Sequence, residues 1–188
     1  MLDRHNRHST QTEALIAQIK NRAQNLYLTR QLLCAEAVLV TLNQGLGGGL
    51  SDAQAVAMAA PFSIALGGSG CLCGALSGAV MACGLFLGND RPYRHRRDTR
   101  ECARQLYDSF KSANGATCCR VLSRKVKHDK NAHFQQCADL TAKAAEMAAR
   151  LILHKRTELM HQVKEEFLAK RQSYIGGALL RLFHIFSH

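Results

Sequence analysis

Residues Gly67 to Gly88 read GGSGCLCGALSGAVMACGLFLG. The stretch carries three of the chain's eight cysteines and no charge. Its glycine-rich opening suits a turn, and the small apolar residues that follow suit a helix from about Cys73 to Leu87, closed by Gly88-Asn89. Cys73 falls where turn becomes helix. The first turn of a helix leaves N–H groups unpaired and its dipole favours negative charge, so a thiol there is biased toward thiolate. Gly74 and Gly78 lie four apart and leave a flat face on which another backbone can close. The remaining elements are expected to bring further cysteines to that face.

The rest of the chain reads as helix. Leu and Ala are abundant among the 188 residues, only two prolines occur, and aromatics make up 6%. Alternating β-branched runs are almost absent. The expected fold is all-α: a compact helical bundle with a long C-terminal helix and a short apolar tail. Residues 1–30 read as an N-terminal helical extension, with 1–10 frayed and an amphipathic helix from Thr12 to about Leu28. Residues 31–153 read as a four-cysteine helical domain. It starts with the apolar helix Cys34–Leu42, which the GLGGG of Gly45–Gly49 ends. Ser51 or Asp52 caps a helix reaching Ala60. Asp98 or Thr99 caps another, running to about Ser112, with Cys102, Leu106 and Phe110 on one stripe. Cys118-Cys119 opens a short turn. From about Phe134 one long helix, with Cys137, Leu140, Ala144, Met147 and Leu151 at helical spacing, is expected to continue to about Gln172. Residues 154–188 form a C-terminal extension for packing or surface association.

No charge occurs between Ala53 and Asn89. A membrane hairpin is one reading. Pro61 and the GGSG turn cut the stretch into pieces shorter than the ~20 residues a spanning helix needs, which favours a buried core hairpin. The start of the chain has no apolar segment of the signal-peptide kind, so a cytoplasmic location is expected. The tail, Ser173–His188, is too short to span. It suits peripheral membrane contact or packing in a homo-oligomer.

The formal net charge is +11. That suggests an acidic partner or an anionic surface, or simply solvated helix faces. No nucleic-acid motif accompanies it, so no specific nucleic-acid partner is expected. Arg91–Arg104, with six arginines, reads as a docking patch for an acidic redox partner or as a solvated segment. Motifs for hydrolysis or phosphate binding are missing, and an electron-transfer or accessory role is expected over classical enzyme activity.

Cys34, Cys73, Cys119 and Cys137 each fall at or near a predicted helix start, on four different helices. Four thiolates suit a tetrahedral zinc ion or an iron–sulfur cluster. No compact CxxC…CxxC spacing occurs, so the tertiary fold has to assemble such a site. The pattern resembles the redox-active four-cysteine family known as C_GCAxxG_C_C. Here it reads Cys34 in LLCAEAVL, Cys73 in CGALSGAVM, Cys119 in CCRVL and Cys137 in QQCADL, over roughly residues 30–153. The resemblance implies a small helical domain with a redox role. It also implies kinship with the iron–sulfur domain of split-Soret cytochrome c. Cys71 and Cys118 adjoin motif cysteines and are possible substitute ligands. Cys83 and Cys102 read as core packing. No CxxCH occurs, which argues against covalent haem. His154 and His161 read as solvated residues, with metal or haem ligation as the alternative, and His133 is a candidate neighbour of Cys137.

Three functions remain open from the sequence: an iron–sulfur electron-transfer protein, a metal-free thiol/disulfide or persulfide-handling protein, and a structural zinc module.

Overall fold

The computed structural model describes the backbone of residues 2–88 and 92–173, with side chains over 9–88 and 96–173. All regular structure among the described residues is helical. In chain order it comprises α1 (Leu2–Leu28), α2 (Cys34–Leu46), α3 (Asp52–Ala59), a short left-handed turn α4 (Ser63–Gly68) and α5 (Gly74–Leu87). After these come α6 (Pro92–Asn114), the single turn α7 (Cys119–Leu122), α8 (Lys130–Lys155) and the short α9 (Glu165–Ala169).

α2 occupies the centre. From Ala35 to Leu46 every residue except Gln44 is buried, as expected of a helix that is apolar nearly all round. Gly47 ends it in the left-handed conformation (φ 70°) that a side chain would oppose. The Ser51 cap forms as expected: Ser51 Oγ accepts from Gln54 N–H at 3.2 Å, and Gln54 Oε1 accepts from Ser51 N–H at 2.9 Å.

α5 packs across α2 through the two glycines. A Cβ built on Gly78 would stand 2.5 Å from Ala35 O and 3.1 Å from Ala35 Cα. Only a bare Cα permits that approach. α8 covers both central helices, and α1 lies along α8. The α1 stripe Leu15, Ile16, Ile19 and Ala23 joins Ala145, Ala148, Ala149 and Ile152 of α8 in one continuous core. α6 lies on the outside and buries the narrow stripe Cys102, Leu106 and Phe110.

Several boundaries differ from the sequence reading: α2 runs on to Leu46 rather than Leu42, and α8 begins at Lys130 rather than about Phe134. α1 begins at Leu2 rather than Thr12. α6 begins at Pro92, six residues before Asp98, because proline at the first helical position loses no hydrogen bond and presets φ. α8 stops at Lys155, where Arg156 leaves helical geometry (φ −134°) and its Nη1 donates to Phe86 O at 2.7 Å. The chain then folds back through a 3₁₀ turn, Thr157–His161, so that Leu159 and Leu168 enter the core. A continuous helix would carry them into solvent. Buried Arg22 holds the returning segment by donating to Lys170 O at 3.1 Å and lying 4.7 Å over the Phe167 ring.

The apolar stretch 53–88 forms α3, α4 and α5 of this bundle. Among the described residues no helix is long and apolar enough to cross a membrane. The tail from Tyr174 onward and Arg91 of the basic segment lie outside the described residues.

Candidate functional site

Two loops are stitched together at the start of α5. Cys73 N–H donates to Thr117 O at 2.9 Å, and Arg120 N–H donates to Gly70 O at 3.0 Å. Arg120 Nη2 adds a bond to Ser69 O at 2.7 Å. These bonds set the first turn of α7 against the cap of α5, so that Cys73 and Cys119, 46 residues apart in sequence, share a thiol–thiol hydrogen bond.

Cys34 arrives from the other side. A Cβ on Gly74 would stand 2.5 Å from Cys34 Sγ and 2.8 Å from Phe62 O. The sulfur therefore rests in the space that a side chain at position 74 would fill. The backbone of Ile64 hydrogen-bonds to the same sulfur. That group belongs to α4, where Ile64, Ala65 and Leu66 all take left-handed φ values of 53–56°. Ser63, at the start of this turn, has its hydroxyl buried and without a hydrogen-bond partner.

Cys137 comes from α8. The expectation that it falls at or near a helix start is corrected: Asp129 caps α8, accepting from Asn131 and Ala132 N–H, and Cys137 lies two turns further on. Its partner is Tyr27 of α1, whose hydroxyl shares a hydrogen bond with the thiol. The Tyr27 ring stacks on Phe134 with centroids 5.1 Å apart.

Charge at the site centres on Cys119. The hydrogen bond from Cys73 and a backbone bond from Gly74, against some opposition from burial, hold its thiol down to about 7. The sequence reading gave the thiolate to Cys73. The structure reverses this, because Cys73 donates its proton toward Cys119 and is itself pushed well up by that bond and by burial. Burial, then the charge on Cys119, pushes Cys137 up to about 11, with the Tyr27 hydroxyl opposing. Burial also raises Cys34. Cys34, Cys73 and Cys137 all feel Cys119, so the four thiols form one electrostatic unit.

The remaining cysteines divide into two pairs. Cys71, exposed, and Cys118 lie at the rim and hydrogen-bond to each other, with Cys118 Sγ also 3.0 Å from Gly70 O. Cys83 and Cys102 meet in the core between α5 and α6. His133 joins Cys137 in lining a cavity of about 460 Å³, with Arg30 and Lys130 in its wall. His154 and His161 are exposed, and the break at Arg156 separates them. Tyr27 and Arg120 are site residues that the sequence reading assigned no such role. No local signal marks either, since Tyr27 lies in an amphipathic helix and Arg120 simply follows Cys119 in CCRVL. Among the described residues no group of three or more His, Cys, Asp or Glu side chains is arranged to hold a metal ion.

A family model described as "Putative redox-active protein (C_GCAxxG_C_C)" matches residues 32–151. Neither the curated proteins nor the solved structures yield a match.

Proposed function

The chain belongs to the C_GCAxxG_C_C family of redox-active proteins, and on that premise we propose that it is an electron-transfer protein whose Cys34, Cys73, Cys119 and Cys137 hold an iron–sulfur cluster. The observation that carries the reading is that Cys34 and Cys119 both approach Gly74 beside Cys73, with Cys137 near enough to feel the charge on Cys119. The donor set fits the group, since four thiolates are the usual ligands of both two-iron and four-iron clusters. The unpartnered Ser63 hydroxyl fits it as well. Such a cluster supplies one-electron transfer when bound.

The chain's own residues would tune the site. Backbone groups of Gly74 and Ile64 hydrogen-bond to the sulfurs of Cys119 and Cys34, and the Tyr27 hydroxyl orients Cys137. Burial of Cys73 keeps water from the inner side. The exposed arginines 96, 97, 100 and 104 of α6 support docking of an acidic redox partner. Their helix meets α5 at Cys83, ten residues along from Cys73, or about 15 Å.

A second reading has its own support. The hydrogen-bonded pair of Cys73 and a Cys119 thiol near 7 is also the arrangement of a dithiol that cycles to a disulfide. One experiment separates the two. Anaerobically purified protein is examined by visible absorption with iron, zinc and sulfide analysis. Broad absorption near 400 nm with iron and labile sulfide, lost in Cys73→Ser and kept in Cys83→Ser, is the result expected of a cluster. Equal cofactor content in both variants would sink the ligand assignment. A colourless, metal-free protein with reversible thiol titration selects the dithiol.

A further inference from the structure

Cys83 and Cys102 lie outside the four-cysteine pattern. Their sulfurs are 2.8 Å apart, less than about 1 Å beyond the ~2.05 Å of a disulfide bond. Both side chains are almost wholly buried, at 1% and 0% exposure. Two thiols that only fill space have no need of so close an approach. They face each other from helices joined by a connection that crosses residues 89–91, so a bond between them would close a loop and fasten α6 to α5.

We propose that Cys83 and Cys102 form a reversible disulfide, a second redox site of this chain that is separate from the four-thiol centre.

The surroundings support it. Among the described side chains of α6, those of Cys102, Leu106 and Phe110 are the buried ones. A helix fixed by so narrow a stripe separates locally more easily than the central helices, which admits a small oxidant. Within the pair, the hydrogen bond from Cys83 lowers the Cys102 thiol against the opposition of burial, with a smaller contribution from Lys155 at the end of α8, while the same bond and burial raise Cys83. Hydrogen peroxide supplies the oxidising equivalents. One thiol is oxidised to a sulfenic acid with release of water. The second sulfur then attacks it, the S–O bond breaks, the S–S bond forms, and a second water leaves. Two electrons pass from the sulfur pair to the peroxide O–O bond. A small dithiol reverses the reaction by exchange.

The test starts from the full chain without substitution. Reduced protein is treated with hydrogen peroxide, blocked with N-ethylmaleimide in denaturant, digested and mapped by mass spectrometry. A dithiothreitol-cleavable peptide joining the Cys83 and Cys102 segments is expected. The oxidised form should melt higher than the reduced form by roughly 6–12 °C, from the entropy of closing a loop of about 20 residues. The difference should vanish in Cys102→Ala. Recovery of both cysteines as maleimide adducts after oxidation, or of either one joined to a different cysteine, overturns the proposal. Peptide mapping reads the bond in the native chain, so the proposal does not depend on the variant folding.

Discussion

Replacing Gly78 with alanine tests the contact on which the bundle is built. The new Cβ would meet Ala35 O at 2.5 Å, Ala35 Cα at 3.1 Å and Val38 Cβ at 3.1 Å. An ordinary contact needs at least 3.4 Å. The nearest of these atoms is backbone, which cannot rotate away, so α2 and α5 must separate by close to an ångström. Overpacking of this kind costs about 1–3 kcal/mol, and a clash between two helix backbones belongs at the upper end. Against that, alanine in a helix interior gains up to about 1 kcal/mol over glycine. The expected net loss is about 2 kcal/mol. Gly84→Ala is the internal control, because it lies in the same helix and a Cβ there meets nothing within 4 Å. It keeps the propensity gain alone and should stabilise by about 1 kcal/mol. Urea unfolding of the two variants should therefore differ by about 3 kcal/mol, with midpoints on opposite sides of the wild type. If Gly78→Ala unfolds at or above the wild-type midpoint, α2 and α5 do not close on a bare backbone, and the assembly of Cys34 against Gly74 loses its basis.

Other outcomes follow from burial and charge. In native, reduced, metal-free protein, iodoacetamide should label exposed Cys71 and the low Cys119 thiol well ahead of buried Cys73, Cys83 and Cys102, as read by timed peptide mapping. Labelling of Cys83 ahead of Cys71 would contradict the packing of α6. Cys137 is pushed from an ordinary 9 up to about 11, so the neutral thiol is favoured by folding. Its contribution is complete below pH 9 and fades as pH rises toward 11, a loss on the order of 2 kcal/mol between urea titrations at pH 8.5 and pH 11. Cys137→Ala should flatten that part of the profile. Deletion of Tyr174–His188 should lower the mass seen in light scattering if the tail packs subunits together, and an unchanged mass removes that reading.

Much of this was legible in the sequence because it is local. The Ser51 cap, the cap position of Cys73 and the stripe of Cys102, Leu106 and Phe110 follow from residue type and helical period. The flat face of Gly74 and Gly78 was legible too, since two glycines four apart point the same way on a helix. Features that depend on distant contacts were not legible. The end of α8 is set by Arg156 reaching Phe86 O and by Leu168 seeking the core, and neither alters the helical period of Thr157–Gln172. The thiolate was misplaced for the same reason. The dipole argument identifies the start of α5 as an anion site, but which sulfur occupies it depends on the Arg120 and Thr117 bonds that bring Cys119 there.

The left-handed turn α4 shows where the fold gives up stability to shape this site. A non-glycine residue in the left-handed region costs roughly 1–2 kcal/mol, and Ile64, Ala65 and Leu66 adopt it in succession. Burial does not repay much of this, since Ile64 is 66% and Leu66 48% exposed. What the turn secures is local. It directs the Ile64 backbone to the Cys34 sulfur, seats Ala65 in the interior, and delivers the chain to Gly70, whose carbonyl receives Arg120. Strain of this size persists only where the surrounding contacts overdetermine it, and it concentrates at functional sites. The Gly74 contact and the Gly70–Arg120 bond are the constraints that hold both ends of the turn. The Cys34 sulfur and the strained turn are therefore one construction, in which the backbone of residues 63–74 is bent to fit sulfur rather than to fill the core.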